Sequence, residues 1–154
     1  MLTDLRKKID ENTKSIDFAI SKYFAHRLGV KDVKTVNALG NNGDLTFVQK
    51  VNIFCDIMPL SKIDNAKLKV YTKINNEIVL NNDILTYDEY FSNLNSYHPF
   101  LFNTYLKNEE LLSNREKLTF AIHQLIDDVA MLTDAYIKKP QIYYNKNVGI
   151  TLPE

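Results

Sequence analysis

The sequence is poor in the residues that interrupt helices and in those that form cross-links. Its 154 residues include 4 glycines, 4 prolines, 1 cysteine and no tryptophan. Sandwiches and barrels need many turns, so the scarcity of Gly and Pro favours long helices over an all-β fold. A lone cysteine, Cys55, excludes an internal disulfide and is typical of a reducing compartment, where it packs as a small buried hydrophobe.

The chain also lacks net charge and long apolar runs. It has 19 Lys and Arg residues against 19 Asp and Glu residues. Proteins that bind duplex nucleic acid carry a clustered basic face, so this balance argues against a nucleic-acid partner. No apolar run approaches the ~18 residues of a membrane helix. Charged residues within the first ten positions leave no room for a secretion signal. We therefore expect a cytoplasmic protein with no membrane partner.

The residues that are present fit one globular domain. Hydrophobic residues make up 45% and charged residues 25% of the chain, which is ordinary for a folded protein. A domain of this length buries roughly 68–70% of its unfolded surface, and needs no metal to fold. The patterns described below predict an all-α, compact bundle of about five to six helices over 1–154, with two long helices at 2–28 and 109–138.

The first long helix is predicted from apolar residues that recur every three, four or seven positions. These residues are Leu2, Leu5, Ile9, Ile16, Ile20 and Tyr23. Gly29 follows as a plausible helix stop, because glycine adopts the left-handed conformation at a helix C-terminus.

The last long helix carries the most regular pattern, a heptad-like seam with steps of four and three. Its members are Leu118, Ile122, Leu125, Val129, Leu132 and Tyr136. Such a seam packs either inside a bundle or across a dimer axis. Asn108 and Ser113 are alternative caps for this helix, and Pro140 is predicted to end it. The apolar segment 141–154 is predicted to be a tail docked on the domain or on a partner.

Between these helices, shorter elements are predicted. One short helix is expected at 31–38 and another at 87–95, with a turn at 40–43. Asp44 is predicted to cap a helix whose apolar stripe is Leu45, Val48, Val51, Cys55 and Met58. Ser61 and Asp64 resemble a capping box for the next helix. That helix should bury Ile63, Leu68, Tyr71, Ile74 and Ile78 and end at 81–83.

Aromatic residues concentrate around Pro99, in a segment whose secondary structure the pattern leaves open. They are Tyr97, Phe100, Phe102 and Tyr105. These rings either fill the core between helices or form a patch that faces a partner. His98, directly before the proline, is expected to lie in a turn.

No enzyme motif is present, and neither a metal nor a cofactor is expected. His123 and Asp127 are four residues apart and share a helix face, but one helix supplies too few metal ligands. His26 and Arg27 fit as basic groups that complement the dipole at the end of the first helix.

Two blocks of sequence resemble a known family. Residues 43–51 (GDLTFVQKV) and 73–81 (KINNEIVLN) are similar to part of the HEPN-like helical families, in particular the mannitol-repressor-like branch. The resemblance covers 43–82 and implies a compact helical bundle that often dimerises. In members that cleave RNA, an Arg and a His from two subunits meet at the dimer cleft.

This chain departs from the catalytic pattern of that family. Asn75 stands at the Arg position, Asn76 retains the following Asn, and Leu80 stands at the His position. Leucine cannot transfer a proton, and asparagine carries no charge to stabilise a phosphorane. The resemblance therefore implies a binding surface at these three positions without nuclease activity.

Together these observations predict a non-catalytic protein-interaction or regulatory module, homodimeric or bound to another protein. The resemblance implies a bacterial setting such as a toxin–antitoxin, phage-defence or mobile-element system. One alternative is a HEPN-like ribonuclease that uses other residues, with His26, Arg27, Arg115 and His123 as candidates. Another alternative is a nucleic-acid-binding transcriptional regulator with lysines clustered on one face.

Overall fold

The structure is a computed structural model that describes residues 2–31, 38–39, 43–80, 98–106 and 114–148. Within these ranges the side chains of residues 2, 80, 98, 114–115 and 138–148 lie outside the description. The helix predicted at 87–95 falls outside it entirely, and the helix at 31–38 and the turn at 40–43 fall mostly outside it.

The described residues form five α-helices and one π-helical turn, with no strand among them. The α-helices are α1 (Leu2–Arg27), α2 (Phe47–Ile57), α3 (Lys62–Asn75), α4 (His98–Tyr105) and α5 (Asn114–Val148). The π-helical turn, Asn76–Leu80, continues α3. This architecture confirms the predicted all-α bundle and its two long helices, which contain 26 and 35 residues.

Helix α1 packs against α2, α3 and α5. It runs parallel to α2 and α5 and antiparallel to α3. The side-chain pairs that fix these directions are Asp17–Lys50 and Tyr23–Phe54 for α2, Lys8–His123 and Asn12–Ile126 for α5, and Thr13–Asn75 and Arg6–Ile78 for α3. Helix α5 also packs against α3 and α4.

The heptad-like seam of α5 packs inside the chain. From Leu118 to Leu132 its five members are at most 9% exposed, and Tyr136 is half-buried. They meet the buried stripe of α1, which includes Leu5, Ile9 and Ile20. Burying one such side chain contributes roughly 1.5–3 kcal/mol. Of the two alternatives, packing inside the bundle or across a dimer axis, the structure therefore shows packing inside the bundle.

The end of α5 differs from the prediction. The helix is described from Asn114 and continues past Pro140 to Val148. Both alternative caps, Asn108 and Ser113, lie outside the described residues. The prediction that Pro140 ends it is wrong, because an internal proline removes one backbone hydrogen bond and kinks a helix without necessarily ending it. Docking of 141–154 stays a prediction, since those side chains lie outside the description.

His98 does not lie in a turn but begins α4. Pro99 is thereby placed in the first helical turn. A proline costs little there, because the N–H that it lacks would have no partner within the helix. The Pro99 ring thus favours the start of a helix where the sequence had indicated a turn.

Helix α3 begins as predicted, with Ser61 as the cap that accepts a hydrogen bond from the Asp64 backbone N–H at 3.1 Å. Ile63, however, is 50% exposed, whereas Leu68, Tyr71, Ile74 and Ile78 are buried as expected. The five-residue step from Ile63 to Leu68 turns the two side chains about 140° apart. Ile63 therefore lies outside the buried stripe.

Thr46, not Asp44, caps α2. The Gln49 N–H donates to Thr46 Oγ1 at 3.2 Å, and the Thr46 N–H donates to Gln49 Oε1 at 2.9 Å, which makes a complete capping box. The Thr-x-x-Gln pattern was present in the sequence and identifies the helix start.

Replacing Thr46 by alanine should lower the free energy of unfolding by about 1 kcal/mol, because it leaves a first-turn N–H without its acceptor. Urea denaturation followed by circular dichroism measures the change. The control is Asp44→Ala, which should leave the midpoint nearly unchanged. A larger loss from Asp44→Ala than from Thr46→Ala would contradict the observed cap.

Candidate functional site

Asn75, at the position of the family's catalytic Arg, lies inside the bundle. It is 4% exposed, and its Oδ1 accepts a hydrogen bond from Thr13 Oγ1 at 2.9 Å. The Thr13 hydroxyl lies 2.8 Å from the hydroxyl of Tyr71, which also accepts from Asn12 Nδ2 at 3.1 Å and donates to the Ile9 carbonyl at 3.1 Å. Asn75 is thus one member of a polar network that connects α1 to α3.

The electrostatics of this network fit a structural role. Burial raises the pKa of the Tyr71 hydroxyl, against the opposing effect of its contact with the Thr13 hydroxyl and of the hydrogen bond from Asn12. The hydroxyl therefore stays neutral and serves as a donor and acceptor between helices. Asn12 additionally donates to the Ile126 carbonyl at 3.3 Å, which extends the network to α5.

The other two positions of the predicted binding surface do not join Asn75. Asn76 is exposed, so the two asparagines point away from each other, and the Leu80 side chain lies outside the description. Both Asn76 and Leu80 belong to the π-helical turn, in which the Ile78 carbonyl accepts a hydrogen bond from Arg6 Nε at 2.9 Å. Within the described residues, Asn75 and Asn76 do not form one surface.

The aromatic segment is anchored in the core by α4. Leu101 is fully buried beside half-buried Phe100, Phe102 and Tyr105, which pack against the core. This placement fits the interpretation that the described rings fill the core. Tyr97 lies outside the described residues.

Tyr105 is also held by a polar cluster on α3 and α5. Its hydroxyl donates to Asp128 Oδ2 at 2.8 Å, and the same oxygen pairs with Lys67 Nζ at 2.7 Å. Lys67 Nζ lies 5.7 Å from the centre of the Tyr105 ring. Burial, followed by the hydrogen bond to Asp128, raises the pKa of Tyr105 well above its usual range. The Tyr105 side chain therefore makes its polar contacts within the chain, and these contacts join α3, α4 and α5.

The candidate catalytic residues of the ribonuclease alternative are dispersed. His123 contacts Lys8 near the start of α1, whereas His26 and Arg27 form its last turn. The stretch from Lys8 to His26 spans about 27 Å along the helix axis. His26 and Arg27 are adjacent and therefore diverge by about 100° around the helix. The Arg115 side chain lies outside the description, so these candidates do not supply a described His and Arg that converge on one point.

His123 does have charged neighbours. Lys8 Nζ lies 3.1 Å from His123 Nδ1 and 3.5 Å from Asp127 Oδ1. Burial, and then the charge of Lys8, lowers the pKa of the imidazole, whereas Asp127 acts in the opposite direction. In the part of the chain that the structure describes, no group of three His, Cys, Asp or Glu side chains is arranged to hold a metal ion.

A buried lysine, Lys50, forms an ion pair that the sequence pattern did not predict. Lys50 is 1% exposed, and its Nζ donates to Asp17 Oδ1 at 2.7 Å and to the Leu39 carbonyl at 3.1 Å. Asp17 also accepts from Ser21 Oγ at 3.4 Å. The sequence signal was the spacing of Lys50 from Phe47 and Phe54, three residues after one and four before the other, which places it on an apolar side of α2. The pair connects α1, α2 and the segment at 38–39.

An exposed aliphatic group was missed as well. Ile53 is 39% and Ile57 54% exposed, and their spacing of four residues places them on one face of α2. Ile63, in the first turn of α3, follows directly after the turn that joins the two helices. We call these three side chains the isoleucine face. The signal in the sequence was a second apolar spacing on α2, beside the stripe of Val51, Cys55 and Met58.

No protein-family model matches this chain, and neither a curated protein nor a solved structure is significantly similar to it. Among the described helices, none combines the length and the apolar character required to cross a membrane. The likeness to the HEPN-like families therefore rests on the two sequence blocks quoted above.

Proposed function

We propose that this chain is a non-catalytic helical interaction module that forms a homodimer through the isoleucine face. The observation that carries this proposal is the exposure of three aliphatic side chains within eleven residues, at 39%, 54% and 50%. The apolar seam of α5, by contrast, is already covered within the monomer. Exposed large apolar side chains that lie near one another are typical of interaction sites.

A second copy of the chain suits this surface better than an unrelated charged partner. A two-fold interface places the same patch on both subunits, so the patch must be complementary to itself. An aliphatic surface meets that condition, whereas a patch of one charge repels its own copy. The formal net charge of zero also leaves no overall repulsion between two chains.

A stable interface is larger than three isoleucine side chains, so neighbouring residues must contribute to it. A standard interface buries about 800 Å² on each partner, with an apolar centre and a polar rim. The isoleucine face would supply the centre. The exposed polar residues Asn52, Asp56 and Lys62 lie beside it in sequence and would supply the rim.

The HEPN-like resemblance supports dimerisation and a regulatory role, because that family often dimerises and its mannitol-repressor-like branch is regulatory. It does not support the location of the interface, because the family's dimer cleft is at the positions of Asn75 and Leu80, and Asn75 is 4% exposed here. The absence of Arg and His at positions 75 and 80 supports a binding role over RNA cleavage. We therefore propose a regulatory module of a bacterial system, such as a toxin–antitoxin, phage-defence or mobile-element system.

Sedimentation equilibrium should show a dimer for the wild-type chain and a monomer for the double variant Ile53→Lys, Ile57→Lys. Two lysines at the centre of an apolar interface should weaken association by at least about 30-fold, as loss of a hot spot does. Both positions are solvent-exposed in the monomer, so its helical content should not change.

The matched control is Met131→Lys on α5, where the native side chain is 72% exposed but distant in sequence from the isoleucine face. It should leave the dimer intact. A wild-type chain that stays monomeric at tens of micromolar, or equal disruption by Met131→Lys, would contradict the proposed interface. RNA cleavage that is lost in His123→Ala would instead support the ribonuclease alternative.

A further inference from the structure

The start of α1 is attached to α5 by a cluster of three titratable groups, Lys8, His123 and Asp127. Lys8 Nζ is 3.1 Å from His123 Nδ1 and 3.5 Å from Asp127 Oδ1. A lysine ammonium only donates hydrogen bonds, so Nδ1 must be the unprotonated, accepting nitrogen of a neutral imidazole. The observed contact therefore exists in one protonation state of His123.

Protonation of the imidazole changes every contact in the cluster. Nδ1 becomes a donor, and an imidazolium then faces an ammonium at 3.1 Å. Asp127 is four residues beyond His123 on the same helix face and is a ready acceptor for the new N–H. The Asp127 carboxylate, which pairs with Lys8 at neutral pH, then accepts a hydrogen bond from the imidazolium instead.

We propose that Lys8, His123 and Asp127 form an acid-sensitive latch, in which protonation of His123 releases Lys8 and loosens the first turns of α1 from α5. The latch lies at the start of α1, whereas the isoleucine face lies on α2 and α3. The proposal therefore does not depend on the dimer.

The surrounding charges favour the closed latch at neutral pH. Burial and then Lys8 lower the pKa of His123, and Asp127 raises it. The other acids at helical spacing on these faces are Asp4, one turn before Lys8, Glu11, three residues after it, and Glu116, two turns before His123. Glu11 lies 4.0 Å from Lys7 Nζ. The neighbouring elements α3 and α4 direct Lys67 and Tyr105 to Asp128 instead.

The direction of the pH effect follows from the lowered pKa. Near pH 6 the unfolded chain, with an ordinary histidine pKa of 6.5, binds more protons at this residue than the folded chain does. Stability from the latch is complete above about pH 6.5 and is lost as the pH falls from there through the folded pKa of His123.

Amide hydrogen exchange of residues 5–12, corrected for the intrinsic rate, should show this loss between pH 7 and pH 5. Protection should fall by about two- to fivefold, the range expected for one partly exposed ionic contact. In His123→Asn the side-chain oxygen replaces Nδ1 as acceptor but does not titrate, so protection should stay constant. His26→Asn, at the other end of α1, is the matched control and should behave like the wild type.

A second measurement separates the latch from a merely structural role. In Lys8→Met, NMR titration should show the His123 pKa rising towards 6.5, because a nearby positive charge has been removed. An unchanged or lower His123 pKa in Lys8→Met would overturn the proposal. So would an equal acid-induced loss of protection in His123→Asn and in the wild type.

Discussion

Asp17→Ala should lower the free energy of unfolding by about 3–5 kcal/mol, the loss typical of breaking a buried ion pair from one side. The variant leaves the Lys50 ammonium, 1% exposed, with the Leu39 carbonyl but without its carboxylate. A charge without a counter-ion in an apolar interior is costly, and water could approach it only through the space left by the Asp17 side chain, which is 20% exposed. Urea denaturation followed by circular dichroism measures the loss.

A double variant distinguishes charge from packing. In Asp17→Leu, Lys50→Met neither charge remains, and apolar groups of similar length replace both side chains. The attraction within a buried ion pair often does no more than offset the cost of removing both charges from water. The double variant should therefore recover most of the stability lost in Asp17→Ala. The exposed Lys14–Asp10 pair of α1, at 2.6 Å, is the control. Asp10→Ala should leave the urea midpoint nearly unchanged.

If the double variant were as unstable as Asp17→Ala, the loss would come from packing between α1 and α2 rather than from the ammonium. If Asp10→Ala cost as much as Asp17→Ala, burial would not be the cause of the effect. Either result would contradict the electrostatic account of Lys50.

The elements that the sequence predicted correctly are those specified by local pattern. The stripe of α1, the seam of α5 and the Ser61 cap each depend on residues within a few turns of one another. The predicted end of α1 differs from the observed one, Arg27, by a single residue. Local errors arose where two caps competed, as with Asp44 and Thr46, or where a proline was read as a stop.

The candidate site depends on contacts between distant residues, and these the sequence did not specify. Lys50 lies on the apolar face of α2, but its burial depends on Asp17, 33 positions away. Lys8 and His123 are 115 positions apart. Helical periodicity gives the face on which a residue lies, whereas the neighbouring helix that covers this face follows from the packing of the whole bundle.

Asn75→Arg, which introduces the residue type that the HEPN-like families carry at the aligned position, should destabilise the chain by at least about 3 kcal/mol. The side chain at this position is 4% exposed and hydrogen-bonded to Thr13. A guanidinium there would be a buried charge without a carboxylate partner, and its extra volume would displace the network around Tyr71. Domains of this size have about 5–15 kcal/mol of stability, so the loss would be a large fraction of the whole.

Asn76→Arg is the matched control, because the Asn76 side chain is exposed and arginine is a good helix former. Its effect on the free energy of unfolding should stay within about 0.5 kcal/mol. Equal stability of Asn75→Arg and the wild type would mean that position 75 reaches solvent, as a catalytic cleft requires. A large loss of stability in Asn75→Arg and none in Asn76→Arg would instead show that Asn75 stabilises the packing of α1 against α3. The absence of arginine there would then follow from burial, whichever partner the protein binds.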